Sequence, residues 1–178
     1  MTGLAKEYGE GLYELALEED LRQEIHGQLM EILDLLRAQR EFVRLLSSRA
    51  LERPERLRVV DETFGGRAHP YIVSFMKLLV ERERFTSFED CVKCFHERFN
   101  EDFGIVEAVA TSAAPLPEAQ REALRARLCA ISGRDVRLLL RVDPNLIGGV
   151  RVEMEGRRYD NTIQNKLERL RRELARGF

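Results

Sequence analysis

The chain has 178 residues, 44% of them hydrophobic and 34% charged, and no tryptophan. That composition belongs to a folded globular protein rather than a disordered tail, and no apolar run approaches the roughly 18 to 20 residues that span a bilayer. The net charge of −2 conceals an asymmetry: residues 1–104 carry 15 Lys and Arg against 21 Asp and Glu, a net of −6, and residues 105–178 carry 14 against 10, a net of +4. An acidic first half argues against a nucleic-acid partner, because phosphate binding needs a positive field.

Glu7, Glu10 and Glu14 precede any long apolar stretch, so the N-terminus reads as neither a secretory signal nor a transit peptide, and a cytosolic compartment is expected. Tyr8, Leu12 and Leu15, with Ala5 and Ala16 beside them, recur at three- and four-residue steps and predict a first amphipathic helix. Leu21, Ile25, Leu29, Ile32 and Leu36 continue the period through a second, which reaches about Gln39. At about 1.5 Å per residue it is roughly 28 Å long. Phe42, Leu45 and Leu46 mark a shorter helix ended by Ser47 and Ser48. Pro54 opens a fourth with Leu57, Val60 and Phe64 on its face, and Gly65-Gly66 stops it. Pro70 opens a fifth with Ile72, Phe75, Leu78 and Leu79 inward, and Phe88, Val92, Phe95 and Phe99 mark a sixth. Short connections between six helices predict an all-α six-helix bundle over residues 1–104.

The period changes near Gly104. Residues 105–111 are rich in valine and alanine and read as a strand. Pro117 starts a helix with the stripe Leu124, Leu128 and Ile131, and Gly133 ends it. Val136, Leu138, Leu140 and Val142 alternate with Arg137 and Arg141, the pattern of a half-buried strand. Asp143-Pro144-Asn145 turns the chain. Val150, Val152 and Met154 then alternate with Arg151, Glu153 and Glu155, and Gly156-Arg157 turns toward Arg158 and Tyr159. The last segment, 162–176, is helical with Ile163, Leu167, Leu170 and Leu174 as its stripe. Residues 105–178 are therefore a small α+β domain.

Cys91-Val-Lys-Cys94 followed by His96 invites a metal or redox reading. At about 100° per residue Cys91 lies at the edge of the aromatic stripe and Cys94 beyond it, and a structural zinc site needs four ligands where no second Cys/His pair exists. A redox dithiol sits at a helix N-terminus after a strand, not inside a helix. His26, His69 and His96 are far apart in sequence, and no serine lies in a nucleophile elbow. No Gly-x-x-x-x-Gly-Lys-[Ser/Thr] loop is present. These residues point to no enzyme, no metal and no cofactor. Leu146-Ile147-Gly148-Gly149-Val150 reads as a turn or bulge whose glycines allow positive φ or close approach to another element. Arg157, Arg158, Lys166, Arg169, Arg171, Arg172 and Arg176 crowd the C-terminal segment and suit an acidic partner.

Several ordered motifs carry a resemblance. Tyr8-Gly-x-Gly-Leu-Tyr-x-Leu-Ala16, Phe75-Met-Lys-Leu-Leu-Val-Glu-Arg-x-Arg84, Val142-Asp-Pro-Asn-Leu-Ile-Gly-Gly-Val150, Tyr159-Asp-x-x-Ile163 and Lys166-Leu-Glu-Arg-Leu170 are together similar to the delta subunits of F-type ATP synthases, whose mitochondrial counterpart is the oligomycin-sensitivity-conferring protein. Gly9 and Gly11 replace small alanines of that family and permit close approach of another helix, at about 1 kcal/mol each in helix propensity. Asn161 stands where the family has Gly in an Asp-Gly-Ser turn, and asparagine also tolerates a left-handed backbone. Val150 replaces an aromatic or longer residue.

The resemblance implies a non-catalytic connector that links the catalytic head to the peripheral stalk, so that rotor torque is resisted and proton flow is coupled to ATP synthesis. It implies that the N-terminal helix of an alpha subunit lies in a groove between the first and fifth helices, here residues 8–17 and 70–80. Tyr8, Leu12, Tyr13, Ile72, Phe75, Met76 and Leu79 are the candidate groove residues. It further implies that the b subunits of the stalk meet the C-terminal domain, with Ile147, Gly148, Gly149, Arg169 and Arg172 as candidates. The expected location is the cytoplasmic face of the bacterial cell membrane, as a peripheral subunit without direct membrane insertion. The alternative is a helical-bundle nucleic-acid-binding regulator, which needs a basic stripe on the first half.

Overall fold

The computed structural model describes residues 3–48 and 50–176, with side chains for all of these except 170 and 173–176. It divides into two compact units, Met1–Phe99 and Asn100–Phe178. The first holds the helical bundle: α1 (Gly3–Glu18), α2 (Arg22–Ala38), α3 (Arg40–Ser47), α4 (Arg53–Phe64), α5 (Pro70–Glu81) and α6 (Phe88–Asp102), with a single 3-10 turn, Phe85–Ser87, leading into α6. Pro54 and Pro70 sit in the first turns of α4 and α5, where a missing N–H costs nothing. Tyr13, Ile25, Leu29, Ile72, Met76, Leu79, Phe85 and Phe95 are fully buried. Each contributes about 1.5–3 kcal/mol by leaving water. Tyr13 meets Phe95 edge-on at a centroid distance of 5.1 Å.

Four expectations for this unit change. Of the expected α1 stripe Ala5, Leu12 and Ala16 are buried, joined by Gly9 and Tyr13, whereas Tyr8 and Leu15 are not. Tyr8 is half-buried and Leu15 is exposed. The cause is Gly9, where a Cβ would stand 2.6 Å from the Cys91 carbonyl oxygen and 2.7 Å from Cys94 Cβ. The missing side chain lets α1 close onto α6, which turns the helix's small-residue side inward. The same approach buries Cys94, which the helical angle alone puts beyond the apolar stripe. Gly11 has no such neighbour: nothing lies within 4 Å of where its Cβ would be. On α4, Arg56 is buried deeper than Leu57, and its guanidinium donates to the Leu46 carbonyl at 3.2 Å, tying α4 to the end of α3.

The second unit is the α+β domain. Its order is β1 (Ile105–Ser112), α7 (Glu118–Ser132), β2 (Asp135–Val142), β3 (Val150–Met154), β4 (Arg157–Asp160) and α8 (Ile163–Arg176). The four strands form one sheet in the order β2-β1-β3-β4. β2 is parallel to β1, with Ala108 opposite Leu138, and the crossover between them is α7, ended by Gly133 in the left-handed conformation. β3 returns antiparallel to β1 with Ala108 opposite Met154, and the β3–β4 turn is carried by Glu155 and Gly156, both at positive φ. Val106, Ala108, Ala110, Leu128, Val136, Val152 and Met154 are the core.

Here too the patterns overstate the covered area. Ile131, expected on the buried stripe of α7, is exposed. β2 is an edge strand whose inward face is sealed only at Val136. Leu138 is half-buried, and Leu140 and Val142 are exposed. On α8, Ile163 and Leu167 are exposed, while the side chains of Leu170 and Leu174 lie outside those described.

Candidate partner-binding cleft

α1 and α5 do not meet along their full length. Between them runs a cleft of about 340 Å³ lined by Tyr8, Leu12 and Leu15 from one helix and Tyr71, Phe75 and Leu78 from the other. Gly11 and Ser74 leave its walls low, and Glu7 puts a carboxylate on the rim. The seven groove residues expected from sequence divide in two. Tyr8, Leu12 and Phe75 line the cleft, Phe75 with only 7% of its surface exposed. Tyr13, Ile72, Met76 and Leu79 are sealed in the core beneath and offer a ligand no surface. Leu15 and Leu78, which periodicity assigns to the core, are wall residues instead. Their signal was available: an apolar stripe wider than the bundle needs leaves its flanks for a partner. An apolar trough between two helices has the form of known sites for an amphipathic helix with apolar anchors at helical spacing.

In the second unit the Gly148-Gly149 pair packs against the start of α8. A Cβ on Gly149 would lie 2.4 Å from the Asn161 carbonyl oxygen and 2.8 Å from Thr162 Cα, and its φ of +85° already favours glycine. The Ile163 N–H donates to the Gly148 carbonyl at 3.0 Å. Ile147, beside the pair, is 70% exposed, and Arg169 and Arg172 lie exposed along α8. The expectation of a left-handed Asn161 is not met: the non-glycine residues with positive φ, among those described, are Asp20, Glu83 and Glu155. Side chains hold this turn. Asp160 Oδ1 accepts from the Thr162 N–H at 3.1 Å and from its hydroxyl at 2.7 Å, and Thr162 Oγ1 accepts from the Asn165 N–H at 3.3 Å.

These donations from Thr162, with Arg151 beside them, hold the Asp160 carboxyl below its usual range. A depressed carboxylate stabilises the fold above the ordinary Asp range and loses that contribution as pH falls through its folded value. Asp160→Ala is therefore expected to cost about 2 kcal/mol at neutral pH. The deficit against wild type should shrink towards about pH 3. Urea denaturation at the two pH values measures both.

The family model described as ATP synthase delta (OSCP) subunit matches residues 4–174. The ATP synthase subunit delta of Desulfitobacterium hafniense strain Y51 is 31% identical over 172 residues, 97% of this chain and 96% of the relative. That of Myxococcus xanthus is 32% identical over 176 residues, 97% of each chain. The chain belongs to the ATP synthase delta (OSCP) subunit family. Its fold is also that of a chain in the cryo-EM structure of the Toxoplasma gondii mitochondrial ATP synthase hexamer, with a TM-score of 0.78, 16% identity and 98% of both chains covered.

In this delta-family chain the residues that invited other chemistry are placed as follows. Burial first, then the neighbouring Cys94, pushes the Cys91 thiol up to about 12, and burial likewise raises Cys94, so both are thiols rather than nucleophilic thiolates. Sequence reasoning missed the pairing of His26 with His96. Their Nε2 and Nδ1 atoms are 2.7 Å apart, and His26 also stacks on Phe99 at 4.0 Å. One imidazole must donate and the other accept, so at least one of the two is neutral in this arrangement. Among the described residues no three His, Cys, Asp or Glu side chains gather where they could hold a metal ion. No helix of the described residues is long and apolar enough to cross a membrane.

Proposed function

We propose that this chain is the non-catalytic connector of its ATP synthase, gripping the catalytic head with one unit and the peripheral stalk with the other. The α1/α5 cleft is the single observation that carries the reading: an apolar trough left open between two helices whose inner faces are sealed in the core. The N-terminal helix of an alpha subunit is its occupant, with apolar side chains against Tyr8, Leu15 and Leu78 and a basic one near Glu7. On the second unit, exposed Ile147, Ile163 and Leu167, flanked by exposed Arg169 and Arg172, suit amphipathic C-terminal ends of the b subunits bearing acidic residues. Neither contact needs a reaction. Two separate grips on one complex multiply through effective concentration, and the pair transmits the counter-torque that keeps the head from turning with the rotor. The complex would hold the chain on the cytoplasmic face of the membrane as a peripheral subunit.

Leu15→Glu tests this better than a charge at Phe75, which is buried and would unsettle the bundle. With Leu15 47% exposed, the variant keeps its thermal midpoint. Calorimetric titration of the full chain with a synthetic alpha N-terminal peptide should give micromolar binding, weakened about tenfold or more by Leu15→Glu. Absence of binding, or equal binding by both proteins, overturns the cleft as the head-binding site.

A further inference from the structure

We infer that the segment docked in the α1/α5 cleft does not end there but runs past the start of α5 into a second apolar hollow between α2 and α4. This rests on the reading above of what occupies the cleft, and concerns how far that occupant extends. The hollow has a volume of about 420 Å³, and its apolar walls are Ile32, Leu35, Leu36, Phe42 and Phe64. Leu35 stands 58% exposed at its mouth, and Phe42 meets Phe64 edge-on at 6.0 Å behind it. A hollow of this size is ample for one or two apolar side chains of a passing chain.

Continuity with the cleft selects the occupant. A shallower depression at the head of α5, bordered by Glu24, Gly65, Gly66 and Pro70, joins the two. Ser74 lines both the cleft and this depression, and Gln28, Arg67 and Ala68 line both the depression and the hollow. The connecting floor is already satisfied. The His69 N–H donates to Gln28 Oε1 at 2.7 Å, and His69 Nδ1 accepts from the Tyr71 N–H at 3.3 Å. The route is therefore a formed surface, not a set of vacant donors waiting for an anion. Its charge has one prevailing sign. Glu7 borders the cleft, Glu24 the depression and Glu31 the hollow, against one cation, Arg67, among the residues that line them. The extended segment thus carries a second apolar anchor beyond its docked helix, with Lys or Arg between the two anchors. Along α2 the hollow runs from Gln28 to Gln39, about 17 Å, which some five extended residues would span.

Calorimetry with the full chain and two synthetic peptides, roughly the first 20 and the first 40 residues of the alpha subunit, tests the inference. The longer peptide should bind about tenfold tighter. Leu35→Glu, at an exposed position that leaves the thermal midpoint unchanged, should erase that gain and leave the shorter peptide's affinity as it was. Equal affinities for the two peptides, or a gain that survives Leu35→Glu, overturns the extension. Two copies of the shorter peptide per chain, the second lost in Leu35→Glu, also overturns it, because the hollow then takes a second helix. If Leu15→Glu weakens neither peptide, it is the cleft assignment that fails.

Discussion

Gly9→Ala is expected to lower the stability of the chain by about 2 kcal/mol, whereas Gly11→Ala, two residues on in the same helix, should raise it by about 0.5–1 kcal/mol. Both exchanges gain helix propensity, because alanine fixes the backbone at less entropic cost than glycine. They differ in what the new methyl meets. At Gly9 it arrives 2.6 Å from a backbone oxygen of α6 and 2.7 Å from Cys94 Cβ, neither of them the end of a flexible side chain. α1 must then lift from α6, which loosens the contact of Tyr13 with Phe95 as well. At Gly11 it enters the open space of the cleft. Thermal or urea unfolding of the two variants reads the difference directly, and a domain of this size shifts by about 4–8 °C per kcal/mol. Two shifts of the same sign would contradict the close α1–α6 approach. A bulkier exchange at Gly11, such as Gly11→Leu, should fill the cleft and compete with the helix proposed to dock there, without disturbing the bundle.

Gly149→Ala carries the larger penalty, about 3 kcal/mol or more. Part is the backbone conformation: at φ +85° a residue with a Cβ is strained by about 1–2 kcal/mol. The rest is the collision with the Asn161 carbonyl and Thr162 Cα, both backbone. Yielding would drag Thr162 from Asp160 and break the capping bonds at the start of α8. The expected result is a fall of more than about 10 °C in the unfolding of the second unit, with hydrogen exchange accelerated first across residues 159–166. If the second unit grips the stalk as proposed, binding to a purified fragment from the C-terminus of a b polypeptide should weaken in step. The bundle, folded on its own contacts, should keep its affinity for the alpha peptide.

The helices and their order are legible in the sequence because a 3.6-residue repeat of large apolar side chains marks each one, and the change to alternation after Gly104 marks the sheet. What hydropathy cannot rank is small residues. Ala5 and Ala16, read beside the stripe, and Gly9, which carries no hydropathy signal, form the side of α1 that packs closest, while the larger Tyr8 and Leu15 only border the core. The same blindness puts Cys94 outside, since only the gap left by Gly9 brings α1 over it. In the second unit, alternation records which face a strand would bury, not whether anything lies above it. Val136 is covered where α7 packs, and Leu140 and Val142, farther along the same edge strand, are not. Four of the seven expected groove residues lie in the core for a related reason: periodicity places Ile72, Met76 and Leu79 on α5, and Tyr13 on α1, but separating floor from mouth needs the neighbouring helix. The meeting of His26 with His96, 70 residues apart, leaves no local trace.

The order in which strands and helices find their neighbours bears on synthesis. β1 is an inner strand of its sheet, yet both flanking strands follow it along the chain, β3 only after a helix, a strand and the Gly148-Gly149 loop. As the ribosome extrudes this polypeptide, the Val-Glu-Ala-Val-Ala run from Val106 to Ala110 is born with two unpaired edges, and the second stays open until Met154 has emerged. Contacts this distant in sequence close slowly, and an orphan strand of this kind is a template for coaggregation with its siblings on a polysome. The nascent chain should depend on a holding chaperone for just that interval, and lose the dependence once the hairpin formed by β3 and β4 has docked.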